Sequence, residues 1–167
     1  MKRALALVAV MVLAGCARES DSRTYAEHGV SFVVPDGWSV SGFSETVFPR
    51  RLVAASYAVD RADVEGDCGG FAAVERLPSA GSYVVLIDYG GNLDVGTRRR
   101  DFKQRLPLTF DDGQLAEFAC FGRSYAFRFI VEGRGLQVHV ALGHLADRRT
   151  RADALAVLNS ISVKRAP

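Results

Sequence analysis

"YAFRFIVEGRGLQVHVAL", residues 125–142, decides the fold. Two apolar runs alternate with period two on either side of a Glu-Gly-Arg-Gly turn. Tyr125, Phe127, Phe129 and Val131 share one face of the first run, and Leu136, Val138, Val140 and Leu142 share one face of the second. Successive side chains of a strand point to opposite faces, so the pattern predicts an amphipathic antiparallel hairpin. Its register is strongly specified, because a slip of one residue would turn the whole apolar set to the other side. Arg128, Gln137 and His139 fall on the second face, where His139 is expected as an exposed strand histidine.

Moving upstream, "QLAEFACF" (114–121) follows the turn residues Asp111-Asp112-Gly113 and reads as a strand. "SYVVLIDY" (82–89) is the clearest apolar strand in the chain, and "RLVAASYAVD" (51–60) is a strand mixed enough to be buried on both faces. "VSFVVPDGWSVSGF" (30–43) reads as strand, Pro-Asp-Gly turn and second strand, with Trp38 a core aromatic rather than a ligand contact. Phe71, Val74 and Leu77 recur at helical spacing before Pro78 and predict a short helix. Downstream, "TRADALAVLNSISV" (150–163) predicts a C-terminal helix with Thr150 as its cap and Asp153 three residues on. Ala154, Leu155, Leu158 and Ile161 form its apolar stripe.

The sum is an α+β domain over residues 30–164: an antiparallel sheet of about six strands with one or two helices packed on it. A chain of 167 residues, 49% hydrophobic, suits one such domain better than two. "GVSFVVPDGW" (29–38) and "ALAVLNSISV" (154–163) resemble the opening and closing segments of the PsbP/Mog1-like fold and of exported actinobacterial lipoproteins similar to it. That resemblance implies a small sandwich serving as a binding or accessory module, and it carries over no catalytic residues.

The N-terminus addresses location. Lys2 and Arg3 precede an unbroken apolar run from Ala4 to Ala14, shorter than the ~20 residues a spanning helix needs, so it reads as the h-region of a signal peptide covering residues 1–15. Leu13-Ala14-Gly15-Cys16 resembles the bacterial lipobox. The resemblance implies cleavage before Cys16 and a diacylglyceryl group on its thiol, anchoring the protein to the cell membrane on the extracytoplasmic side. Residues 16–29, polar and without periodicity, are then expected as a tether. Processing removes Lys2 and Arg3 and no acid, leaving 19 bases against 19 acids, which argues against nucleic acid as a partner. An envelope protein or small ligand is the expected partner beyond the membrane itself. With Cys16 lipidated, Cys68 and Cys120 remain as one pair in an oxidising compartment, and a disulfide is expected between them. Two buried thiols are the alternative.

Catalytic signatures are weak. "GRSYA" around Ser124 lacks the second glycine of a nucleophile elbow. No Cys-x-x-Cys occurs, and "GGNLDVGT" (90–97) lacks the lysine and spacing of a phosphate-binding loop. No cofactor is therefore expected. His139, His144 and Asp147 fit a metal set only if the chain turns at Gly143, and Asp60, Asp63, Glu65 and Asp67 lack the order of a calcium loop, so a solvated acidic loop is preferred. The rival to a non-catalytic module is a secreted hydrolase whose site forms only in the fold, from Asp88, His139 and His144. "RRRDFKQR" (98–105) places Arg98, Arg99, Arg100, Lys103 and Arg105 around a phenylalanine. It is a candidate contact for anionic headgroups, envelope polymer or an acidic partner. The plainer reading is a solvated loop paired with acids such as Asp101.

Overall fold

The computed structural model describes residues 22–42, 49–64, 71–91 and 99–164. The hairpin at its centre is β7 (Gly122–Val131) and β8 (Arg134–Leu142), paired in the register the alternation demands, with Phe127 opposite Val138 and Phe129 opposite Leu136. Both central turn residues take positive φ, Glu132 at 48° and Gly133 at 82°. A two-residue hairpin loop whose twist matches its strands has this requirement, and glycine meets it without strain.

Around the hairpin, β3 (Ser39–Ser41), β4 (Arg50–Ala55), β5 (Ser82–Asp88) and β6 (Gln114–Phe118) complete a six-stranded antiparallel sheet in the order β3-β4-β5-β8-β7-β6. A second sheet of three strands, β1 (Ser22–Glu27), β2 (Val30–Pro35) and β9 (Ser162–Val163), is also antiparallel. The chain is α+β, with a six-stranded antiparallel sheet and a helix packed on it.

Residues 22–27 correct the expected tether, since they form β1 and pair along their length with β2. Their polar side chains suit the edge of a sheet, and Tyr25 packs its ring 5.7 Å from that of Phe32. The turn that starts this hairpin, His28-Gly29 with φ of 49° and 79°, repeats the geometry of the Glu132-Gly133 turn.

The main core lies between one face of the large sheet and the small sheet. Leu52, Ala54, Val84, Leu86, Phe127, Phe129, Leu136, Val138 and Val140 meet Val30, Phe32, Val34 and Trp38 there. Helix α3 (Arg148–Asn159) closes the same side through Ala154, Val157 and Leu158. Its cap is Asp147, whose carboxylate accepts from the Thr150 N–H at 2.7 Å, rather than Thr150 itself. Thr150 turns instead to the Ala80 carbonyl. The helix stops at Asn159, short of the expected Ile161, because the Ser160 hydroxyl binds the backbone of Val33 and leads the chain into β9.

The opposite face of the large sheet is also buried. Val53, Ala55, Tyr83, Val85, Ile87 and Ala141 pack with Ala73 and Phe121, so β4 and β5 are covered on both sides. Two short helices, α1 (Arg61–Val64) and α2 (Phe71–Glu75), lie on this side, the second near its predicted position. Among the described residues no helix is long and apolar enough to cross a membrane.

Candidate functional site

Burial of the second sheet face changes what its polar residues can do. His139 is 1% exposed, which corrects its expected placement on an open face. Phe118 and Phe121, at the two ends of the β6–β7 turn, cover its ring at centroid distances of 4.7 and 4.3 Å. Burial, with a smaller contribution from the Arg128 guanidinium, lowers its pKa from 6.5 to about 4. His139 is neutral at ordinary pH.

Its tautomer follows from its neighbours. Arg128 Nε donates to Gln137 Oε1 at 3.1 Å, and the Tyr89 hydroxyl reaches the same oxygen at 3.5 Å. The Gln137 amide nitrogen therefore faces His139 and donates to Nε2 at 2.5 Å. Because Nε2 accepts, Nδ1 carries the proton and donates to Ser124 Oγ, 3.3 Å away.

Ser124 and His139 are thus a serine–histidine pair set the wrong way round. Activating a serine requires its hydroxyl to donate into a histidine lone pair, with the histidine's other nitrogen protonated toward an acceptor. Here the lone pair points at an amide held by an arginine, and Ser124 is fully buried. The arrangement satisfies buried polar groups and ties β7 to β8. Only the period-two pattern hinted at it, by placing Ser124, Arg128, Gln137 and His139 on one face.

The structure does not assemble the hydrolase set. Asp88 follows Val84 and Leu86 on β5, so it projects toward the main core, whereas His139 projects to the opposite face of the same sheet. Asp88 is 1% exposed and is ion-paired with Arg134, which also donates to the His28 carbonyl at 3.0 Å and pins the β1–β2 turn to the large sheet. His144 is exposed in the turn after β8, and Asp147 is the α3 cap, so neither joins His139 in a metal set. Among the described residues no three histidines, cysteines or carboxylates converge on one point.

Asp60 and Asp63 accept each other's backbone N–H at 2.9 and 3.1 Å, and Asp63 pairs with Arg76. These bonds hold the Asp63 carboxyl below its usual pKa. Glu65 and Asp67 lie outside the described residues. Trp38 sits in the main core, as its sequence context led one to expect.

The basic segment divides by direction. Phe102 is 6% exposed and meets the Tyr89 ring edge-on at 5.9 Å. Gln104 bridges to Phe129, accepts from the Arg128 N–H at 2.5 Å and donates to the Asp112 carbonyl. These contacts root the segment, while Arg99, Arg100, Lys103 and Arg105 stay exposed. None of the four takes part in an ion pair recorded among the described residues, and Asp101 does not partner them. Arg98 lies outside the described residues.

Cys120 lies in the turn that covers His139, and the other two cysteines, Cys16 and Cys68, lie outside the described residues.

The geometry defines an α+β module with a sealed polar network behind its sheet and a rooted, outward-facing cationic segment. No protein-family model matches the chain, and no curated protein matches it.

Proposed function

We propose that this chain is a membrane-anchored extracytoplasmic lipoprotein whose domain is a non-catalytic binding or accessory module of the cell envelope. One observation carries the binding reading: the exposed cations of residues 99–105 stand on a segment fixed from its inner side, and none of them is in an ion pair among the described residues, with Asp101 or with any other acid. The catalytic-looking groups, by contrast, are engaged in structure. Ser124 and His139 are sealed with the wrong polarity, and Asp88 serves Arg134. The anchor rests on Leu13-Ala14-Gly15-Cys16 behind its charged and apolar leader.

Metabolic labelling with a radioactive fatty acid tests the anchor. The wild-type chain is expected to incorporate label and to sediment with membranes, and Cys16→Ala to do neither. Retention of label in Cys16→Ala would overturn lipidation at that residue. Crosslinking in intact cells then tests the module, with a reproducible envelope partner as the expected result.

A Cys68–Cys120 bridge belongs to the same proposal. It would tie the turn bearing Phe118 and Phe121 to the segment before α2. The mature protein, unfolded without reductant, is expected to expose no titratable thiol, whereas two thiols would sink the pairing.

A further inference from the structure

The point where the chain enters the described structure and the cationic segment stand at opposite ends of the fold. The chain enters the described structure at Ser22, and Arg23 Nη2 donates to the Trp38 carbonyl at 2.6 Å. Trp38 precedes β3, whose Ser39 pairs with Ala55, itself opposite Tyr83. The far end of β1 is held by Arg134, bonded to both the His28 carbonyl and Asp88. Phe102 meets Tyr89, one residue past Asp88, and Gln104 bridges to Phe129, which pairs with Leu136 opposite Asp88. Five strand steps from Tyr83 to Asp88 therefore separate the entry of the chain from the cationic segment, about 17 Å at the usual rise. Six residues, 16–21, connect Cys16 to β1, no more than about 21 Å when fully extended. An anchor at Cys16 would therefore join the domain to the bilayer through its Ser22 end, and the cationic segment lies at the end away from that attachment.

The segment offers charge without an apolar anchor. Its one aromatic, Phe102, is turned into the protein. Interfaces between proteins rest on buried aromatic or aliphatic side chains, and polar rims alone contribute little. Single-stranded nucleic acids are gripped by exposed aromatic platforms, which are missing here. Three arginines and a lysine spread over seven residues suit a flexible chain of repeated phosphates, because each guanidinium fork matches phosphate oxygens. Resting on the lipoprotein reading, we infer that Arg99, Arg100, Lys103 and Arg105 form a docking site for a phosphate-bearing envelope polyanion on the membrane-distal end of the domain.

The test uses the full, lipidated chain in neutral phosphatidylcholine vesicles, with fluorescent inorganic polyphosphate as probe and anisotropy as readout. Wild type is expected to bind, with affinity falling steeply between about 50 and 200 mM salt, as binding by counterion release does. The quadruple variant Arg99→Glu/Arg100→Glu/Lys103→Glu/Arg105→Glu, checked for an unchanged melting temperature, is expected to bind at least about tenfold more weakly. The neutral quadruple glutamine variant serves if the reversal disturbs folding, with a smaller loss. Absence of wild-type binding, or equal binding by the variants, would overturn the site. Polyglutamate binding as tight as polyphosphate would overturn the phosphate preference. Loss of polyphosphate binding when phosphatidylglycerol is added to the vesicles would overturn the membrane-distal placement, because the bilayer would then hold the segment. Vesicle flotation reads the anchor separately, so failure of lipidation is distinguishable from failure of the docking site.

Discussion

Asp88→Ala is expected to destabilise the protein by about 3–5 kcal/mol in urea denaturation, the usual cost of removing one partner of a buried ion pair. Asp88 is 1% exposed and accepts from Arg134 Nε at 3.3 Å, from Arg134 Nη2, and from the Gly90 N–H at 2.8 Å. Alanine leaves the guanidinium, itself largely buried, without its carboxylate, and it loosens the Arg134 grip on the His28 carbonyl. The double variant Asp88→Ala/Arg134→Met removes both charges and is expected to recover part of the loss. A single-variant cost below about 1 kcal/mol would show that the pair behaves like an exposed one. Through Arg134, Asp88 acts as an electrostatic clamp between the two sheets.

The second large effect is a pH dependence centred on His139. Its pKa is lowered to about 4 in the folded chain, whereas the unfolded chain protonates it near its ordinary value of 6.5. Above about pH 6.5 both states carry the neutral ring, and the stability is fully present. Between about pH 6.5 and 4 only the unfolded state takes up the proton, so stability falls by about 1.4 kcal/mol per pH unit, about 3 kcal/mol in all.

Protonation would also place an N–H against the Gln137 amide, a second donor, so the network itself resists the charge. Urea titrations from pH 7 to 4.5 on wild type and His139→Gln isolate the effect, since His28 and His144 are common to both. The variant is expected to have a much flatter profile over that window. Parallel profiles would show that His139 is solvated in the folded state. The carboxyls of Asp63, Asp112 and Asp147, lowered chiefly by backbone hydrogen bonds, add a separate loss at lower pH.

These residues mark where local pattern stops being informative. Period-two alternation predicted β7 and β8 with their inward residues, because strand side chains alternate whatever lies opposite them. The stripe in residues 154–158 predicted α3 for the equivalent reason at period 3.6. The same reasoning misplaced its cap by three residues, since Thr150 and Asp147 both carry oxygens able to accept from a free N–H. It also missed β1, although His28-Gly29 is a hairpin signal, because Ser22–Glu27 is nearly all polar and gains its apolar contact from Phe32.

The candidate site was legible as composition and not as arrangement. The cations of residues 98–105 are evident in the chain, yet Phe102 facing inward depends on Tyr89, and Gln104 as a root depends on Arg128 and Asp112. The proposed lipobox rests on residues 13–16 alone, because such a signal would be met as extended sequence and needs no fold.

The sequence by itself therefore determined the α+β class, the central hairpin, the C-terminal helix and the positions of charge, because these follow from spacing along one element. Only the tertiary structure decided that His139 is sealed and neutral, that Asp88 and His139 stand on opposite faces, and that Ser22 and the cationic segment lie at opposite ends. Whether a polar face is wet depends on what packs over it, and that partner is distant in the chain.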